Sequence, residues 1–153
     1  MSADAGSTMN TEAFQHCFRV ALHDTDAAGV LFFAHLFRHA HDAYEAWMAQ
    51  LGFPLDAMIR GGDLGLPLVH AEADYRRPMR HGDQVSVTLG VAELGEGSFT
   101  IDYRFHLDGG KLAATARTVH VCIQPGEAGP RLLPESLSVA LALDHRFGQS
   151  SGA

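Results

Sequence analysis

The chain has 153 residues, 46% of them hydrophobic and 19% charged, with eleven Lys+Arg against eighteen Asp+Glu and a formal charge of −7. This length suits one domain with a sizeable core, and the composition excludes a disordered chain. The acidic balance excludes sequence-independent nucleic-acid binding, and no apolar run approaches the ~20 residues of a membrane-spanning helix, so neither nucleic acid nor membrane is expected as a partner.

The opening stretch MSADAGSTMNTEAF has neither the basic flank nor the apolar centre of a secretory signal. Residues 1–12 read as a flexible N-terminus and 148–153 as a flexible tail, which leaves 13–147 as the domain. Cys17 and Cys122 both sit in apolar strand-like stretches and are expected to be reduced, partly buried thiols of a cytoplasmic protein.

Residues 14–22 alternate, with Phe14, His16, Phe18, Val20 and Leu22 on one face, and predict a strand. His23 to Gly29 reads as a loop. Next, Phe33, Leu36, Phe37, Ala40, Tyr44, Trp47 and Leu51 recur at spacings of three and four and predict a long amphipathic helix. It ends at Gly52, and Pro54 cannot continue it. A short turn over 55–60 follows. Four strands are then expected: Leu66 to Tyr75, a second with Val85, Val87, Leu89 and Val91 on one face, a third with Phe99, Ile101, Tyr103, Phe105 and Leu107, and a fourth from Lys111 to Gln124. Asp108-Gly109-Gly110 is a hairpin signal. In the fourth strand the apolar phase switches near Arg117, from Leu112, Ala114 and Ala116 to Val119, Val121 and Ile123, which a bulge there would explain. Leu137 to Leu143 predicts a short C-terminal helix. One strand, one long helix and four antiparallel strands make an α+β domain whose sheet wraps around a central helix.

The most informative segment is HDTDAAGVLFFAH, residues 23–35. Two acids separated by one residue stand just before a helix start, where unpaired N–H groups and a partial positive charge favour carboxylates and oxyanions. A carboxylate that attacks or activates water, with backbone amides holding the developing charge, is one use of this pattern. Capping and turn chemistry is the other.

The stretch DTDAAGVLFFAHLFRHAHDAYEAWM resembles the signature of the hotdog-fold thioesterases of the 4-hydroxybenzoyl-CoA type, with Asp24, Asp26, Gly29 and Val30 in the signature places. The resemblance runs through LPLVHAEADYRRPMRHGDQVSV, ELGEGSFTIDYRF and ARTVHVCI to Leu133-Pro134-Glu135, roughly residues 14–142. DTDAAGV with AYE and VHAEAD is most similar to the 1,4-dihydroxy-2-naphthoyl-CoA hydrolases. The resemblance implies a single hotdog domain that hydrolyses an aromatic acyl-CoA without a metal or cofactor. The acyl group it points to is 1,4-dihydroxy-2-naphthoyl, with 4-hydroxybenzoyl or another hydroxyaryl group as the alternative. It implies that Asp26 is the catalytic acid, acting as nucleophile or as base for water, and that the backbone N–H of Phe33, seven residues on, is the oxyanion donor. Asp26 would have to be ionised, which Asp24 opposes and the helix start favours. Gly29 would allow close approach of the backbone to the thioester, or merely permit a positive φ. Val30 and Phe32 would help bind the substrate. Family members are dimers joined into tetramers, with the acyl pocket shared between subunits, so a homotetramer is expected.

Other residues are weighed beside these. Arg76, Arg77 and Arg80 are three of eleven cations within five residues, which suits the phosphates of coenzyme A, or simply a solvated turn. Arg117 and His120 are weaker phosphate candidates. His35 and His39 share a helix face at i,i+4, but His41 points roughly 200° away from His39, so solvated or pocket-edge histidines are expected rather than a metal site. The resemblance also makes Glu45 a competing catalytic candidate, because variants of the family place the acid on the helix itself. Glu45 lies three turns beyond Phe33, too far from the helix start for the same carbonyl, and a ring-hydroxyl or structural contact is expected of it. Two rival functions remain open: an acyl-CoA-binding module without turnover, and a dehydratase pairing His35 with Asp26.

Overall fold

The computed structural model describes residues 13–144, so the two expected flexible ends, and residues 145–147, lie outside the described residues. Five strands form one antiparallel sheet in the order β1-β3-β4-β5-β2. They are β1 (Phe14–Arg19), β2 (Leu68–Tyr75), β3 (Gln84–Leu94), β4 (Ser98–Leu107) and β5 (Leu112–Val121). The helices are α1 (Phe33–Gln50), α2 (Leu55–Gly61) and α3 (Glu135–Asp144). The hotdog architecture read from the sequence, one antiparallel sheet and one long helix, is present.

The core lies between α1 and one face of the sheet. Leu36, Ala40, Ala43, Tyr44, Trp47 and Met48 of α1 are buried with Val85, Val87, Leu89 and Val91 of β3 and Phe99, Ile101, Tyr103 and Phe105 of β4. Each large apolar side chain buried in this way contributes about 1.5–3 kcal/mol. The buried face of α3, Leu137 and Leu141, packs on β3, and Asp144 accepts a hydrogen bond from the Val91 N–H at 3.1 Å.

The structure corrects four expectations. First, β1 ends at Arg19, because the chain turns at a 3-10 segment, Leu22–Asp24, and Leu22 is 71% exposed. Second, Phe33 leaves the apolar stripe and stands 63% exposed at the head of α1. Third, Cys17 is exposed, because it falls on the outward side of β1, whereas Cys122 is buried. Fourth, β5 keeps one phase through Arg117. Ala114, Ala116, Thr118, His120 and Cys122 all face inward, while Val119 and Val121 take the other face. Two polar residues on the buried side mimic a phase switch. The register shift in the β4–β5 pair is elsewhere, between Phe105 and His106, and leaves Ala113 as the extra residue. The Ala113 carbonyl accepts the N–H groups of both Arg76 (2.8 Å) and Arg77 (3.1 Å). That bulge therefore ends β2 and starts the arginine turn.

The inward polar residues of β5 satisfy one another. Tyr103 Oη and Thr118 Oγ1 are 3.1 Å apart, Thr118 Oγ1 and His120 Nε2 are 3.2 Å apart, and His120 Nδ1 lies 3.1 Å from the Leu66 carbonyl. The His120 ring is stacked between Tyr44 and Phe99. Burial is the main reason that its pKa falls to about 4, against the opposing pull of the Leu66 carbonyl. The folded protein thus holds His120 neutral, whereas the unfolded chain protonates it near pH 6.5. Stability is complete above that value and is lost as the pH falls from about 6.5 towards 4, by of order 3 kcal/mol from this residue. Urea unfolding at a series of pH values is expected to show this decline, and His120→Gln is expected to flatten it.

Candidate active site

The two acids of the DTD segment have different fates. Asp24 is 1% exposed. Its Oδ2 accepts the Ala21 N–H at 2.9 Å and lies 3.1 Å from His39 Nε2, and its Oδ1 is bound by Arg38 Nη2. Burial alone would raise the carboxyl pKa. The Ala21 amide, His39 and Arg38 together outweigh burial and hold it below the usual carboxylate range. Burial likewise lowers the pKa of His39, only partly offset by Asp24, and favours the neutral ring. That ring is stacked on Phe18 of β1 with centroids 3.7 Å apart. His39 is thus committed to Asp24 and Phe18, and among the described residues no cluster of His, Cys, Asp and Glu is arranged to hold a metal ion.

Asp26 is exposed. Its Oδ1 accepts the N–H groups of Ala28 (2.9 Å) and Val30 (3.2 Å), and Oδ2 has no hydrogen-bond partner among the described residues. The main chain closes around it. Asp26 N–H donates to Val30 O at 2.9 Å, Gly29 N–H to Asp26 O at 3.0 Å, and Thr25 pairs with Leu31 as an antiparallel bridge. Phe32 N–H donates to Asp24 O at 2.9 Å. The loop from Asp24 to Phe32 is therefore closed at its base, and α1 starts directly after it.

That start is uncapped. Phe32 at the N-cap position offers no side-chain acceptor, and the N–H groups of Phe33 and Ala34 find no acceptor among the described residues. They carry the positive end of an 18-residue helix. Tyr75, at the end of β2, donates its hydroxyl to the Phe33 carbonyl at 2.8 Å. Sequence reasoning did not single out this tie between the sheet edge and the first turn of α1.

The arginine turn runs beside the loop. Leu31 N–H donates to Met79 O (2.7 Å), His81 N–H to Gly29 O (3.0 Å), and Val30 pairs with Arg80 as a bridge. Val30, Tyr75, Arg76, Arg77 and Met79 share a cleft of about 270 Å³. Arg76, Arg77 and Arg80 are exposed, and among the described residues none of their guanidinium groups is paired with a carboxylate; the Asp83 carboxylate accepts the Arg80 backbone N–H at 2.8 Å. The structure thus gathers Asp26, Gly29, Val30, Phe32, Phe33 and the three arginines at one end of α1. Phe32 packs edge-on against His35 with ring centroids 5.9 Å apart, which adds His35 to that end.

Three candidates fall elsewhere. Glu45 is exposed, about 18 Å along the helix axis from Phe33. Arg117 is held bidentately by Asp102 across the β4–β5 pair, at 2.7 and 3.1 Å. His120 is buried in the core. The latter two are corrected as phosphate candidates, because each is already engaged by protein groups.

An exposed carboxylate with one open oxygen, beside unpaired helix-start amides, can deliver negative charge to an electrophilic carbon and hold the charge that its oxygen gains. Gly29 makes the turn possible, with φ at +78° and open space where a Cβ would stand. Gly29→Ala therefore carries only the left-handed backbone penalty of about 1–2 kcal/mol. Gly29→Asn is expected to lose less than Ala in the same denaturation experiment.

Residues 20–141 match the thioesterase-like superfamily. The 1,4-dihydroxy-2-naphthoyl-CoA hydrolase of Synechococcus elongatus is 42% identical over 125 residues, covering 81% of this chain and 90% of that protein. Among solved structures, a 1,4-dihydroxy-2-naphthoyl-CoA thioesterase from Synechocystis superimposes with a TM-score of 0.80 at 35% identity, over 85% of this chain and 96% of that one. A gentisyl-coenzyme A thioesterase aligns with a TM-score of 0.76 at 27% identity, over 84% and 99%. The hydrogen-bonded loop, the helix start and these likenesses lead to one statement: the chain belongs to the thioesterase-like superfamily and is a thioester hydrolase of the hotdog fold.

Proposed function

We propose that the chain hydrolyses an aromatic acyl-CoA, with 1,4-dihydroxy-2-naphthoyl-CoA as substrate and Asp26 as the catalytic carboxylate. The observation that carries this reading is the open Oδ2 of exposed Asp26 in a closed loop whose next residues are the unpaired amides of α1. The substrate assignment is supported by the similarity to the Synechococcus and Synechocystis proteins.

In the nucleophilic route the Asp26 carboxylate adds to the thioester carbon, and the carbonyl oxygen becomes an oxyanion at the Phe33 N–H. The C–S bond then breaks, the thiolate takes a proton from water, and a second water cleaves the mixed anhydride. In the general-base route Asp26 takes a proton from the attacking water, the same oxyanion forms and collapses with cleavage of the C–S bond, and the proton held by Asp26 passes to the departing thiolate. Either way water is added across the acyl C–S bond, and no cofactor is required.

Arg76, Arg77 and Arg80 would hold the phosphates of coenzyme A, while Gly29, Val30, Phe32 and His35 would border the reacting end. Glu45 on the same chain is too distant for that end, and a role in substrate binding would need a second subunit. Two features support a homo-oligomer, a dimer of dimers. β2 is an edge strand with exposed Leu68, Val69 and Tyr75, and Phe32 and Phe33 stand open beside Asp26. An apolar ring needs a covered pocket, which a neighbouring chain would complete. Two free thiols, one of them exposed, suit a reducing cytoplasm.

A thiol-release assay on a panel of acyl-CoA thioesters tests the assignment. The naphthoyl thioester is expected to give the highest kcat/KM, ahead of gentisyl-, 4-hydroxybenzoyl- and short aliphatic thioesters. Comparable rates on the aliphatic ones would remove the aromatic claim. Asp26→Asn is expected to lower kcat by about a thousandfold or more with the fold intact. Replacing Arg76, Arg77 and Arg80 by Gln is expected to raise KM about tenfold for the CoA thioester. The matching pantetheine thioester, which lacks the nucleotide phosphates, should be indifferent to the change.

A further inference from the structure

The carboxylate of Asp24 is nearly inaccessible to solvent, and the reaction proposed above does not use it. Three elements converge on it. The residue ahead of the 3-10 segment supplies the Ala21 N–H, the second turn of α1 supplies Arg38 and His39, and β1 supplies Phe18, stacked on His39. The backbone of the same residue does a second job, since its carbonyl accepts the Phe32 N–H at 2.9 Å. Phe32 directly precedes the Phe33 amide. One residue thus joins the base of the Asp26 loop to α1 at two points, through its side chain and through its main chain.

We infer that Asp24, Arg38 and His39 form a positioning clamp, which fixes the Asp26 carboxylate relative to the helix-start amides. The inference rests on the reading of Asp26 as the catalytic carboxylate. Asp26 itself is held by local bonds only, to Ala28, Val30 and Gly29 within its own turn. Those bonds fix the shape of the turn but not its placement against α1. The outer side of the loop is tied to the arginine turn through Gly29, Val30 and Leu31. Its base is tied to α1 by the packing of Phe32 on His35 and, further along the helix, by the contacts of Asp24 with Arg38 and His39. A displacement of about 1 Å between a reacting group and its partner can cost a hundredfold in rate.

Asp24→Asn is the sharpest probe, because it keeps the shape. It also places an NH2 group against either the Arg38 guanidinium or the donors Ala21 N–H and His39. Two readouts are taken on the full chain. The first is kcat and KM with the best acyl-CoA of the panel. The second is hydrogen exchange of individual amides. The clamp predicts that kcat falls by about a hundredfold while KM stays nearly unchanged. It also predicts faster exchange at Ala28, Val30 and Phe32, with the amides of β3 and β4 protected as before.

Arg38 gives a second pair of variants on a half-exposed side chain, useful if Asp24→Asn does not fold. Arg38→Gln is expected to lower kcat, and Arg38→Lys to restore part of it. An unchanged kcat in Asp24→Asn, a lowered kcat with the loop amides still protected, or equal kcat in the two Arg38 variants overturns the clamp. Asp26→Asn in the same assay separates the failures. If it is inactive while Asp24→Asn is fully active, the clamp alone is wrong. If it keeps its rate, the catalytic reading has failed and takes the clamp with it.

Discussion

The buried stripe of α1, from Leu36 through Ala40 and Tyr44 to Trp47, is the constraint on which the rest depends. Pressing that stripe against β3 and β4 sets where the helix lies and how far its first turn projects. Leu36 is fully buried and Phe33 largely exposed, so the boundary of the core falls within one helical turn. The N–H groups ahead of that boundary are then at the surface, and Phe32 brings no side-chain acceptor to cap them. Capping a helix with Ser, Thr or Asp adds about 1 kcal/mol of stability. This helix forgoes that contribution and leaves its donors open. The long buried stripe makes the omission tolerable, because tertiary packing rather than capping supplies most helical stability.

The two acids before the helix show how strongly surroundings divide identical side chains. Two residues apart, one is nearly inaccessible and the other exposed. A lone buried carboxylate is costly to desolvate, and it survives only where donors and cations repay that cost. Asp24 has both, from Ala21, His39 and Arg38. Its charge is therefore matched where it sits, and the repulsion of Asp26 that proximity in sequence implies is largely cancelled. Asp26 stays at the surface, where its Oδ1 accepts the N–H groups of Ala28 and Val30 in its own turn.

Much of the architecture was legible from periodicity. The alternation in Val85 to Val91 and Phe99 to Phe105 is strong because those strands sit inside the sheet with one face on the core. Periodicity failed where burial and hydrophobicity part company. Thr118 and His120 face inward yet are polar, and they are tolerated because Tyr103, each other and the Leu66 carbonyl satisfy them. The edge strand β2 hides the opposite way, since Leu68 and Val69 look like core and are exposed in the single chain. His39 was legible in principle, because it lies three residues after Leu36 and four before Ala43 on the buried face of α1. The bonds of Arg38 and His39 to Asp24 were not, since partners 14 and 15 residues apart across a turn carry no periodic signal. The DTDAAGV segment and the arginine turn could be singled out one by one. Their adjacency depends on the bulge at Ala113, which a single strand does not reveal.

That bulge also bears on how an acidic protein meets a polyanionic substrate. A net charge of −7 repels coenzyme A at long range. At physiological ionic strength such repulsion is screened beyond about 8 Å, so what matters is the charge close to the bound phosphates. The Ala113 carbonyl turns the chain out of β2 at Arg76 and Arg77, and the Val30–Arg80 bridge carries it alongside the Asp26 loop. The cations are thereby concentrated beside the helix start, and among the described residues their guanidinium groups form no ion pair, the Asp83 carboxylate being bound to the Arg80 backbone N–H. The two anionic parts of the proposed reaction then meet two different kinds of positive charge. The phosphates, charged throughout, would face full guanidinium charges that act on substrate and transition state alike. The oxyanion, which exists only during the reaction, faces partial backbone charges that strengthen their hold as the carbonyl oxygen gains charge. Binding and acceleration are thus assigned to separate groups, as differential stabilisation of a transition state requires.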